Sequence, residues 1–128
     1  MRGKRETSLS SKIFIPLRGE IWEVALDPIV GSEMNKSRPC LVLSSDAMGK
    51  LPIKIVAPIT EWKAAYINHI WHIRIDPDAQ NNLIKSSAVD VYQVRAVDTK
   101  RFVKHIGKAS AQILEEAAAA LAAVVEHQ

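Results

Sequence analysis

Residues 110–128, SAQILEEAAAALAAVVEHQ, form the one stretch of this chain with a clear helical period. Ile113, Leu114, Ala117, Leu121, Val124 and Val125 recur every three or four residues and so share a face. Ser110 suits the cap, where its side-chain oxygen accepts from an amide of the first turn. Alanine, the strongest helix former, fills the rest, with a run at 117–120. Upstream the pattern changes. Short runs rich in β-branched and aromatic residues are bounded by Gly, Pro, Asn and Asp, which predicts strands at 19–26, 40–44, 53–59, 87–97 and 102–107. A further strand is expected in the latter part of 67–75, where Trp71, Ile73 and Ile75 alternate with His72 and Arg74. Loops are expected at 29–37, 46–52 and 60–66, with Pro39 fixing a turn. Many short strands followed by one helix predict a small, mainly β fold: a twisted barrel or roll closed by the C-terminal helix.

The chain's 128 residues suit one domain, and 48% hydrophobic with 24% charged residues is an ordinary globular composition. Residues 1–16 read as a flexible basic tail carrying Arg2, Lys4, Arg5 and Lys12, ahead of a single domain at 17–128. A formal charge of +3 is compatible with a polyanionic partner without demanding one. Cys40 is alone, so no internal disulfide can form and a reducing cytoplasm is expected; it opens the apolar run Cys40-Leu41-Val42-Leu43 and reads as core. No stretch approaches the roughly 18 apolar residues of a membrane span, and no apolar segment follows the basic N-terminus as in a secretory signal. There is no nucleotide-binding P-loop and no Gly-x-Ser-x-Gly elbow. His69-x-x-His72 has no second ligand pair, so neither metal nor cofactor is expected; on one strand that spacing sends the two rings to opposite faces.

Three segments occur in an order that carries more information than any one alone. The first is Gly19-Glu20-Ile21-Trp22-Glu23-Val24 with Leu26-Asp27-Pro28, then Gly31-Ser32-Glu33, Lys36, Arg38 and Pro39. The second is Val56-Ala57-Pro58-Ile59-Thr60, and the third Gln93-Val94-Arg95-Ala96-Val97-Asp98 with Arg101-Phe102. Together they resemble the MazF/PemK toxin family over nearly all of 19–107. The resemblance implies a homodimer of SH3-like barrels in the cytoplasm that cuts single-stranded RNA without a metal. The RNA 2′-OH would attack its own phosphate, leaving a 2′,3′-cyclic phosphate and a 5′-OH. It also implies a cognate MazE-like antitoxin that lays an acidic, disordered tail along the RNA groove.

By the same resemblance Arg38 and Thr60 match the catalytic pair. Glu33 matches an acidic loop position near RNA, Ser32 and Lys36 lie beside it, and Gln93 matches a position touching RNA. Many relatives have Ser after the threonine, whereas this chain has Glu61 and then Trp62. The residue types suit the chemistry. In-line transfer builds negative charge on the non-bridging oxygens, and a planar guanidinium binds two of them at once. A threonine hydroxyl can donate to the same phosphate and hold it in line. Glu33 and Glu61 are candidates for base or orienting group, with His69 and His72 as further titratable groups. Trp62 could stack a base, while Lys36, Lys63, Arg95 and Lys100 could follow phosphates. Two other functions fit the fold: a gyrase-poisoning toxin and a non-catalytic binding module. The first relies on a tryptophan near the end of the last helix, and Val124-Val125-Glu126-His127-Gln128 has none.

Overall fold

A computed structural model describes residues 15–26 and 37–127. Among the described residues, seven strands, β1 (Glu20–Ala25), β2 (Ser37–Val42), β3 (Ile53–Glu61), β4 (His72–Ile75), β5 (Ser87–Asp90), β6 (Arg95–Asp98) and β7 (Phe102–Lys108), precede one α-helix, α1 (Ala111–Val124). All pairings are antiparallel, in the order β4-β5-β3-β2-β1-β7, with β6 also on β3. The expected architecture, mainly β with a C-terminal helix, is the one found. Ser110 caps α1 by accepting from the Ile113 amide at 3.2 Å.

Alternation along the strands sorts side chains to two faces. Ile21, Leu41, Ala57, Ile59 and Val89 pack under α1, which contributes Ala117 and Ala120. Trp22, Val24, Cys40, Val42, Val56 and Val97 form a second cluster on the other face. Cys40 is therefore core, as its apolar context suggests. Beside Trp22 the buried Glu20 carboxylate accepts from the Leu17 amide at 2.9 Å and from the Trp22 indole N–H at 3.0 Å, with His105 Nε2 3.7 Å away.

Several expected boundaries shift, each for a physical reason. Pro39 lies within β2, level with Glu23, rather than in a turn. It has no N–H to give, and the β2–β3 pairing starts only at Cys40. Thr60 and Glu61 belong to β3, because β5 pairs with them through Ala88 and Ser87. The single strand expected at 87–97 is broken by a 3-10 turn, Val91–Gln93. Ile59 pairs with Val89, yet Val56 pairs with Arg95 rather than with residue 92. The turn absorbs those three extra residues and lets β3 serve both halves of a bent sheet. Ahead of β4, residues 64–68 form a 3-10 turn, so the strand begins only at His72.

The end strands β4 and β7 are not paired with each other. The seam is bridged by the loop before β5. The Lys108 amide donates to the Gln80 carbonyl at 3.0 Å, and Asn82 Nδ2 donates to the Ile106 carbonyl at 2.7 Å. Asn81, almost fully buried, organises that loop. Its side chain accepts from the amides of Asp78 and Leu83 at 3.0 and 2.9 Å and donates to the Asp76 carbonyl at 2.9 Å.

Candidate active site

Strands β2 and β3 run antiparallel, and their last paired residues toward the sheet end are Cys40 and Pro58. Carried two residues further, the same register sets Arg38 level with Thr60. Level residues on antiparallel neighbours share a face, as do residues two apart on one strand. Arg38, Cys40, Pro58 and Thr60 therefore look the same way. Arg95, level with Val56 on β6, looks with them. The Cys40 thiol registers this placement. Burial pushes its pKa up to about 12, against the opposing pull of the Arg95 and Arg38 guanidiniums. The thiol stays protonated at neutral pH and is no nucleophile.

Arg38 and Thr60 both line a groove of about 620 Å³ at this end of the sheet. Glu61 at the end of β3 and Lys63 just beyond it continue its wall, and Ile84 and Lys85 enter from the loop ahead of β5. Lys85 Nζ lies 3.5 Å from a Glu61 carboxylate oxygen, with both side chains largely in solvent. Among the described residues, one carboxylate thus shares the groove with three cationic side chains, Arg38, Lys63 and Lys85. Such a balance suits a phosphate diester with a base attached. The cations can take phosphate oxygens, the threonine can donate a hydrogen bond, and the carboxylate can accept from a neutral donor.

The other expected site residues are placed differently. Ser32, Glu33 and Lys36 lie outside the described residues. Trp62 is half-buried, with the Arg74 guanidinium 5.0 Å over its ring and Tyr66 against its edge, and it does not line the groove. Gln93 sits in the 3-10 turn and donates through Nε2 to Asp90 Oδ2 at 2.9 Å. Asp90 Oδ2 in turn lies 3.5 Å from His72 Nε2. His69 and His72 do meet, contrary to the strand-based expectation, with their Nδ1 atoms 3.0 Å apart. The reason is local. Residues 69–71 turn rather than extend, so the His69 ring folds back over the start of β4. Tyr66 stacks on His72 with ring centroids 3.7 Å apart, and Trp71 on His69 at 4.4 Å. With His72 flanked on both nitrogens, the pair braces the segment after Thr60. Among the described residues, no group of three or more His, Cys, Asp or Glu side chains is placed to hold a metal ion.

Ile84 and Lys85 escaped the sequence reading. They sit about 25 residues downstream of Thr60, and nothing local marks them; only the β3–β5 pairing brings their loop to the groove.

Comparison with known proteins identifies the family of the chain. A family model described as PemK-like, MazF-like toxin of type II toxin-antitoxin system matches residues 17–125. The Escherichia coli (strain K12) endoribonuclease toxin ChpB is 36% identical over 113 residues, covering 85% of this chain and 93% of the relative. Endoribonuclease MazF9 of Mycobacterium tuberculosis is 31% identical over 106 residues, covering 77% and 86%. Among solved structures, the MazE-MazF complex (Form-II) from Deinococcus radiodurans superposes with a TM-score of 0.72 at 22% identity, covering 91% of this chain and all of that one. Mycobacterium tuberculosis toxin MazF-mt6 superposes at 0.68 and 23% identity, covering 85% and 98%. The family match spans the sheet, the Arg38 and Thr60 groove and the helix alike, and the chain belongs to the PemK-like, MazF-like toxins of type II toxin-antitoxin systems.

Proposed function

We propose that this chain is an endoribonuclease toxin that cuts single-stranded RNA in the groove between β2 and β3, with Arg38 and Thr60 as its catalytic pair. The observation that carries the proposal is that Arg38 and Thr60, each two residues beyond the last β2–β3 pair, line one groove. The scissile phosphate lies between them. Arg38 takes the non-bridging oxygens, where charge grows as the transition state forms, and the Thr60 hydroxyl holds the same group in line. The ribose 2′ oxygen gives up its proton and bonds to phosphorus as the bond to the 5′ oxygen breaks. The 5′ oxygen takes a proton and leaves, and the products are a 2′,3′-cyclic phosphate and a 5′-OH. No step needs a metal. The substrate is mRNA in the cytoplasm, the working form a homodimer, and the inhibitor a cognate MazE-like antitoxin. Relatives named as endoribonucleases and a structural neighbour titled as a MazE-MazF complex support these assignments.

The test is incubation with a long single-stranded RNA in EDTA, followed by mapping of the new ends. Wild type should make discrete cuts with 5′-OH ends. Arg38→Ala should lose about two to three orders of magnitude in rate, the scale of one lost transition-state donor, while remaining folded, because Arg38 is exposed. Thr60→Ala should also slow cutting. Near wild-type cutting by Arg38→Ala would remove it from the site.

A further inference from the structure

The groove contains a carboxylate that phosphate binding does not explain. Glu61 directly follows Thr60 on β3, one Cα step along the chain, and both line the groove. An anion there repels phosphate. It must therefore serve another part of the substrate, or be neutralised before RNA can bind. Lys85 does neutralise it, at 3.5 Å, but both side chains are about 60% exposed. A solvated pair of this kind contributes little and exchanges partners readily. Ile84, the residue before Lys85, is 92% exposed on the same groove. It gives the rim an apolar surface that the described residues leave uncovered.

We infer that Glu61 reads a guanine next to the scissile phosphate, with Ile84 against the base and Lys85 released to the backbone. The inference rests on the ribonuclease reading above and adds the base. Its logic is the donor pattern of the four bases. An ionised carboxylate only accepts, through two oxygens side by side. On the Watson–Crick edge, guanine offers two parallel donors, the N1–H and the N2 amino group, and so takes both oxygens. Adenine and cytosine each set a ring-nitrogen acceptor beside their amino group, facing the second oxygen with a lone pair. Uracil flanks its single N–H with two carbonyl oxygens. Single-stranded RNA exposes this edge for reading, and a bidentate charge-assisted contact discriminates by roughly 10- to 100-fold. Thr60 and Glu61 point to opposite sides of their strand, so phosphate and attached base are addressed from successive residues without competing for space.

The experiment maps cut sites of wild type and Glu61→Gln on one random-sequence RNA pool, with guanine-to-inosine replacement in a short substrate. Wild-type sites should share a guanine at one fixed position beside the cut. Inosine, which lacks the N2 amino group, should lower kcat/KM by roughly tenfold. Glu61→Gln should lose the guanine requirement and gain cutting at adenine, because an amide presents one acceptor and one donor to the adenine amino group and N1. Wild-type sites with no fixed guanine, or Glu61→Gln sites with an unchanged guanine-to-adenine ratio, would overturn the inference while leaving the ribonuclease standing. Absence of any cutting by folded wild type would overturn both.

Discussion

His69 Nδ1 and His72 Nδ1, 3.0 Å apart, can hold only one proton between them, and His72 Nε2 faces Asp90. Burial lowers the His72 pKa below its ordinary 6.5, and the nearby His69 adds to this, while Asp90 works in the other direction. The lowering wins, so the unfolded chain binds this proton more readily than the folded one. The stability linked to His72 is therefore present above pH 6.5 and is lost as pH falls from there through the lower folded value. Denaturant midpoints measured between pH 7.5 and 5 should fall with acidity, and His72→Gln should flatten part of that slope. A variant with the full wild-type slope would show that other groups carry it. Cys40 provides a second test at this scale. With its thiol buried and its pKa near 12, it should resist iodoacetamide in the folded protein and react once the chain is unfolded.

The loop ahead of β5 closes the seam of the sheet and also delivers Ile84 and Lys85 to the groove, so its two jobs should fail together. Asn81→Ala removes three hydrogen bonds from a buried side chain and should cost about 1–3 kcal/mol in chemical denaturation. It should also raise KM for RNA, whereas a purely structural role would leave KM unchanged. Gly107 is the matching position on β7. A Cβ there would strike the Gln80 carbonyl oxygen and come within 2.8 Å of Asn81 backbone atoms, so Gly107→Ala must push the loop away. The thermal midpoint should drop, and the same variant should cut RNA more slowly although it is remote in sequence from Thr60. At the C-terminus, Ser110→Ala should cost about 1 kcal/mol, the usual value of a lost N-cap bond. The start of helix α1 was legible to within a residue because period, cap and alanine content all agree, whereas its end at Val124 falls short of the Gln128 expected, since no glycine or proline marks the stop. The break at Val91–Gln93 was not, since apolar Val89 and Val91 continue through it as they would through an unbroken strand.

For the molecule as a whole, a charge of +3 is too small to hold RNA by its overall field, so binding depends on the few cations gathered at the groove. Cleavage should therefore weaken steeply between about 50 and 200 mM salt, and Lys63→Gln or Lys85→Gln should each reduce the slope. A slope unchanged by both would place the phosphate contacts elsewhere. The sequence by itself determined the class of fold, the start of the terminal helix with its cap, and the core placement of Cys40. Those features rest on local period or on spacing along the chain. Only the tertiary structure decided that Glu61 faces Lys85, that Arg74 covers Trp62, that Gln93 serves Asp90, and that His69 folds back onto His72. These depend on the register between strands distant in sequence and on where short turns interrupt them. A shift of one residue turns every side chain of a strand to the opposite face, and composition carries almost no trace of that choice.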